Sequence, residues 1–172
     1  MGMLIVVEND KVEGTDKHNV SGQTTNSTLP QPPAPPTVPY TGVGDFQYVG
    51  KMTDQLSDFV KIGGKPVALK SSKSSLNPGE SAPPSGKHSG PAGSNFTPPV
   101  APGILPLITP SLKIDDTIGE GNPSASSGSS FVKVASTAVL LDGDKIDTCD
   151  GLSVPMNSTV TAENQDFVSC SE

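Results

Sequence analysis

Four side chains of this sequence offer a nitrogen or sulfur donor suited to a soft metal: His18, His88, Cys149 and Cys170. The chain has no other histidine or cysteine. Both histidines follow a lysine and open a small polar turn ending in glycine, as Lys17-His18-Asn19-Val20-Ser21-Gly22 and Lys87-His88-Ser89-Gly90. Cys149 sits in Asp147-Thr148-Cys149-Asp150-Gly151, and Cys170 in Val168-Ser169-Cys170. Two imidazoles and two thiolates complete a tetrahedral zinc set of the closed, structural kind, with iron as the alternative metal. The donors span most of the chain, so one ion held by all four would gather the fold at one point. For either histidine alone the competing reading is a solvated loop residue. For the cysteines it is a Cys149–Cys170 disulfide, which a reducing compartment disfavours. Asp142, Asp144, Asp147 and Asp150 form an acidic cluster whose spacing matches no calcium loop, so a solvated turn is the simpler reading.

Catalytic chemistry finds little to work with. The sequence holds no phosphate-binding glycine loop ending in Gly-Lys-Ser/Thr, no nucleophile elbow and no dinucleotide fingerprint. A serine or cysteine nucleophile would have to draw its base from only two histidines. A catalytic zinc more often keeps three protein ligands and an open position, and here a fourth donor is present. The expectation is a protein that is not an enzyme.

The elements that must position these residues are short and extended. Glycine and proline number 18 each, aromatics are 4% and tryptophan is absent, so a thick apolar core and regular helix are both disfavoured. Leu4-Ile5-Val6-Val7 and Lys11-Val12-Glu13-Gly14 flank an Asn9-Asp10 break, as in a weak hairpin. Phe59-Val60-Lys61-Ile62, a Gly63-Gly64 turn and Lys65-Pro66-Val67-Ala68-Leu69 form a stronger one. Between them, residues 42–58 read ambiguously, with Met52, Leu56 and Phe59 able to form a helical turn or an apolar loop. Proline-rich insertions occupy about residues 23–41 and 77–110, and residues 119–130 read as a Gly/Ser-rich link.

An internal repeat organises these pieces. Phe131-Val132-Lys133-Val134, Ala135-Ser136 and Thr137-Ala138-Val139-Leu140-Leu141 copy the Phe59 hairpin in character, with the Leu4 hairpin as a weaker third copy. Ala135-Ser136 stands where a glycine turn is expected, which suggests a longer or differently bent turn there. Phe59, Val60, Ile62, Phe131, Val132 and Val134 are expected in the core. After each copy comes a polar loop carrying a donor, His18, His88 or Cys149. Hairpins that cannot each bury an apolar face would pack about a common axis, bringing those loops to one end. The whole chain, 1–172, reads as one domain.

With its strand, Gly-Gly and Lys-Pro-Val pattern, its repeated hairpins and its His and Cys loops, the chain resembles PAAR-repeat proteins. These are the sharpened tips of contractile injection systems. The resemblance is carried by Gly14-Thr15-Asp16-Lys17-His18-Asn19, Gly86-Lys87-His88-Ser89-Gly90-Pro91, the run from Leu141 to Cys149, and Asn157-Ser158-Thr159-Val160-Thr161 onward to Cys170. It is most specific to the PAAR-like tips of phage-tail-derived extracellular particles, of the antifeeding-prophage and virulence-cassette type. The resemblance implies an all-β, small conical structure of three pseudo-threefold-related hairpins with a metal-bound apex. Its base would cap a homotrimeric spike protein, one tip per trimer, with effector cargo as a further partner. Many members use three histidines and one cysteine, whereas this chain offers two of each.

The net charge of −7 argues against nucleic acid or an anionic membrane as a standing partner. A target membrane would be met only on firing. The N-terminal apolar run is too short for a signal-peptide core, so synthesis in the cytoplasm and incorporation into a particle are expected. The alternative function is a secreted or surface structural module that binds a ligand through its proline-rich loops.

Overall fold

The computed structural model describes residues 2–26, 37–76, 94–97, 104–106, 113–114, 120–148 and 158–170. Every regular element among them is a β-strand, so the chain is all-β. The strands are β1 (Met3–Leu4), β2 (Lys11–Asn26), β3 (Thr37–Asp54), β4 (Lys61–Ile62) and β5 (Lys65–Pro66). They continue as β6 (Lys73–Leu76), β7 (Ser94–Thr97), β8 (Ile104–Pro106), β9 (Lys113–Ile114) and β10 (Glu120–Pro123). The last are β11 (Lys133–Val134), β12 (Thr137–Ala138), β13 (Lys145–Asp147), β14 (Ser158–Thr161) and β15 (Ser169–Cys170). The ambiguous segment after residue 42 is strand as far as Asp54, with Met52 inside the ladder.

Six strands close into a ring. β2 pairs with β3, β3 with β6, β6 with β10, β10 with β13, β13 with β14, and β14 returns to β2, all antiparallel. Closure leaves no free edge over that span. Alternation decides what faces inward: Val12, Asp16, His18 and Val20 of β2 are buried, while Glu13, Thr15, Lys17 and Asn19 are exposed. The narrow interior also explains two glycines. A Cβ on Gly50 would stand 2.4 Å from the Ser75 carbonyl oxygen, and one on Gly121 would stand 2.8 Å from the Ile146 Cγ2. Beyond the ring, β2 and β3 continue as a two-stranded arm paired as far as Thr25 and Thr37, with β7, β8 and β9 along its edges.

One end of the ring is floored by three crossing segments, residues 5–7, 67–69 and 139–141. They meet through the bridges Ile5↔Leu141, Val7↔Val67 and Leu69↔Val139. Their central residues exchange backbone hydrogen bonds in a cycle: Val6 N–H to Leu140 O at 2.9 Å, Leu140 N–H to Ala68 O at 3.0 Å, and Ala68 N–H to Val6 O at 2.9 Å. Val6, Ala68 and Leu140 join the cluster inside the ring with Val12, Tyr48, Met52, Ile146 and Val160. Their neighbours Ile5, Val7, Val67, Val139 and Leu141 join a second cluster with Ile62 and Val134. Successive residues of an extended chain face opposite ways, so the two clusters lie on opposite sides of this floor.

Each floor segment leads into the same turn. The Val7 and Leu141 amides donate to the carboxylates of Asp10 and Asp144, both at 2.7 Å, and the Leu69 amide donates to the Ser72 hydroxyl at 2.8 Å. The strand leaving each turn begins with lysine, Lys11, Lys73 or Lys145. Each floor segment is also preceded by a short strand pair. β4 pairs with β5 across Gly63-Gly64, and β11 with β12 across Ala135-Ser136. The third pair is not the expected hairpin of Leu4 with Lys11. Met3 pairs with Cys170 and Leu4 with Ser169, joining the two ends of the chain, while Lys11 pairs with Lys51 and Thr161. Local pattern could not reveal this, because β1 and β15 stand at opposite ends of the sequence.

The Ala135-Ser136 turn has the same length as its glycine counterpart. Ala135 and Ser136 adopt φ of 46° and 71°, beside 56° and 84° at Gly63 and Gly64. Strand twist demands left-handed residues in a two-residue hairpin loop, and here alanine and serine accept the strain. The proline-rich residues 27–36 and 77–93 lie outside the described residues.

Candidate functional site

His18 lies on β2 opposite Gly44, fully buried, with its ring edge-on to Phe46 at a centroid distance of 5.6 Å. Its Nε2 is 3.7 Å from the Asp16 carboxylate. The Thr148 hydroxyl donates to Asp16 Oδ1 at 2.6 Å. Having given up its one proton, Thr148 Oγ1 accepts from the Ser158 hydroxyl, also at 2.6 Å. Asp16, His18, Thr148 and Ser158 are each at most 1% exposed. This polar layer lies above the ring's apolar cluster, where the arm of β2 and β3 begins, and each hydroxyl in it has a partner, as burial requires.

Cys170 is elsewhere. It lies on β15 with its sulfur 3.8 Å from Ser129 Oγ and packs against the second cluster, below the floor. By register it occupies the place that Ile62 and Val134 take in the other two strand pairs. His18 is six residues along β2 from Val12, roughly 20 Å at the usual strand rise. Donors of a tetrahedral zinc sit within about 4 Å of one another. The structure therefore does not bring His18 and Cys170 together. His88 and Cys149 lie outside the described residues. Among the described residues, no three His, Cys, Asp or Glu side chains are grouped to hold a metal.

The feature that sequence reasoning missed is aromatic. Phe59 and Phe131, expected in the core, are 71% and 73% exposed, and Phe167 joins them at 66%. All three occupy one position in the recurring pattern. Each follows a residue whose side chain accepts the amide of the next valine. Ser57 Oγ accepts from Val60 at 3.0 Å, Ser129 Oγ from Val132 at 3.0 Å, and Gln165 Oε1 from Val168 at 2.8 Å. Those valines then accept from the floor, Val60 O from Val67, Val132 O from Val139 and Val168 O from Ile5. The valines pack on the second cluster, so the phenylalanine before each of them faces outward. Phe167 reaches the neighbouring hairpin, its Cζ 3.8 Å from where a Cβ of Gly63 would stand. Added together, the three rings expose roughly 400 Å² of apolar surface. The motif Phe-Val two residues after Ser or Gln, occurring three times, was the available signal.

Comparison of the chain with protein-family models, with curated proteins and with solved structures found no match.

Proposed function

We propose that the chain is the tip of a contractile injection machine, capping a trimeric central spike with the end that bears Phe59, Phe131 and Phe167. The observation that carries this reading is the recurrence of one exposed aromatic at three corresponding positions around an apolar cluster. A partner with an exact threefold axis offers three copies of one surface, and a single chain can match it only by repeating its own contact three times. The cyclic floor hydrogen bonds and the three strand pairs are the scaffold such a repeat needs. At the opposite end, the arm of β2 and β3 continues past the ring for about ten residues, roughly 35 Å. That elongation suits a narrow leading end, with effector cargo as an optional passenger.

Load on such a tip would pass along the closed ladder, where all six strands must shear together. The two apolar clusters and the buried polar layer support that ladder from within. Zinc, where bound, would draw its donors from His18, His88, Cys149 and Cys170, with His18 and Cys170 not on the same ion.

The test is to mix the purified chain with the trimeric spike protein of its own particle and weigh the complex. One chain per trimer is expected, stable to moderate salt because the contact is apolar. The triple variant Phe59→Ser, Phe131→Ser, Phe167→Ser should lose the complex while keeping its β-sheet circular dichroism. Three chains per trimer, or full binding by the triple variant, would overturn the reading.

A further inference from the structure

The three junctions between a floor turn and the neighbouring strand pair are built alike but charged differently. Glu8 donates its amide to Pro66 O beside Lys61, and Asp142 donates to Leu4 O beside Ser169. At the third junction Lys70 donates to Ala138 O, and the strand opposite carries Lys133. This is the junction where two cations meet without an acid. It is also the one with an extra residue: Pro123 to Ser129 is one longer than Met52 to Ser57 or Val160 to Gln165. Gly128, at φ 96°, accommodates it.

The result is an open cleft of about 590 Å³, within the range of small-ligand sites. No carboxylate lines it, although the chain carries a net charge of −7. Some of its donors are committed, since Lys70 Nζ donates to the Ala125 carbonyl and the Ser127 hydroxyl to the Lys145 carbonyl. The side chains of Lys133, Ser71, Ser130 and Ser136 have no partner among the described residues. Ser129 is only 2% exposed; its Oγ accepts from the amides of Phe131 and Val132, which fill its two lone pairs, and lies 3.8 Å from the Cys170 sulfur. The thiol sulfur, a weak acceptor, is thus the partner left for the Ser129 proton.

We propose that this cleft binds a phosphate or sulfate monoester carried on a small polyol, such as a sugar. Lys70 and Lys133 would balance the anionic charge, and the serine hydroxyls would donate to its oxygens and to the polyol. The site is independent of the spike-docking reading, because it rests on one junction and not on the threefold recurrence.

The experiment is an NMR titration of the isotopically labelled chain with glucose 6-phosphate, glucose 6-sulfate, inorganic phosphate and glucose. Either ester should shift the amides of Gly128, Ser130 and Lys133 with a Kd near or below about 1 mM, and glucose should not. The relative strength of the two esters identifies the natural anion. The pair Lys70→Ala, Lys133→Ala should weaken binding at least about tenfold, with changes in the ligand-free spectrum confined to the cleft and the Ala125 loop that Lys70 Nζ holds. Equal shifts with glucose, no shift at about 10 mM ester, or undiminished binding by the double variant would overturn the proposal. Inorganic phosphate binding as tightly as the esters would remove the polyol from it.

Discussion

Asp10 should be the most costly single side chain to remove. It is fully buried and its two oxygens accept four hydrogen bonds. Oδ2 takes the Val7 amide at 2.7 Å. Oδ1 takes the amides of Glu163 and Asn164, both at 2.9 Å, and the Asn164 side-chain amide at 2.8 Å. These bonds tie the first floor turn to the segment before β15, near the opposite end of the chain. Hydrogen bonds to a charged acceptor contribute about 1.5–3 kcal/mol each, and a stranded buried N–H costs about 1–3 kcal/mol. The four share one carboxylate and are not additive, so Asp10→Ala should cost about 4–6 kcal/mol. That is a large part of the roughly 5–15 kcal/mol that holds a domain together. Ser72 occupies the same turn position with two bonds, accepting from Leu69 and donating to Gln55 O, both at 2.8 Å. Ser72→Ala should cost only about 1–2 kcal/mol. Urea unfolding followed by far-ultraviolet circular dichroism measures both. A cost for Asp10→Ala under about 1.5 kcal/mol, or equal costs for the two variants, would refute the reasoning.

Three further outcomes are expected. Burial pushes the Tyr48 hydroxyl up to about 12 from its ordinary 10.0, with its Ser74 hydrogen bond at 3.0 Å opposing the rise. The folded state thus holds that proton more tightly than the unfolded chain. The corresponding stability is intact below pH 10 and lost as pH climbs toward about 12, an effect of about 2–3 kcal/mol that Tyr48→Phe should abolish in alkaline unfolding curves. Ser136→Gly relieves a left-handed residue at φ 71° and should raise stability by about 1 kcal/mol, whereas Gly63→Ala at φ 56° should lower it by a similar amount. Cys170→Val, which installs the side chain found at the corresponding Val134, should leave metal content unchanged by elemental analysis and shift the melting temperature by only a few degrees. A loss of bound metal in that variant would mark Cys170 as a ligand.

Much of the local structure was legible in the residues themselves. Scattered proline and glycine exclude helix wherever they fall, and the two-residue turns at Gly63-Gly64 and Ala135-Ser136 are marked by apolar runs of matching length on either side. The repeated Phe-Val-Lys pattern announced that two strand pairs would be built alike. Three things were decided only by the tertiary structure. Pairing of β1 with β15 depends on hydrogen bonds between the chain's two ends, which no window of sequence contains. Exposure of Phe59 and Phe131 follows from which face of the strand meets the second cluster, and alternation alone is silent on which face is inward. The fate of the donors followed the same logic: His18 and Cys170 share a chemistry, but the floor of crossing segments puts them on opposite sides of the molecule. Residue type declares what a side chain can bind, and only the closed ladder determines which side chains can meet.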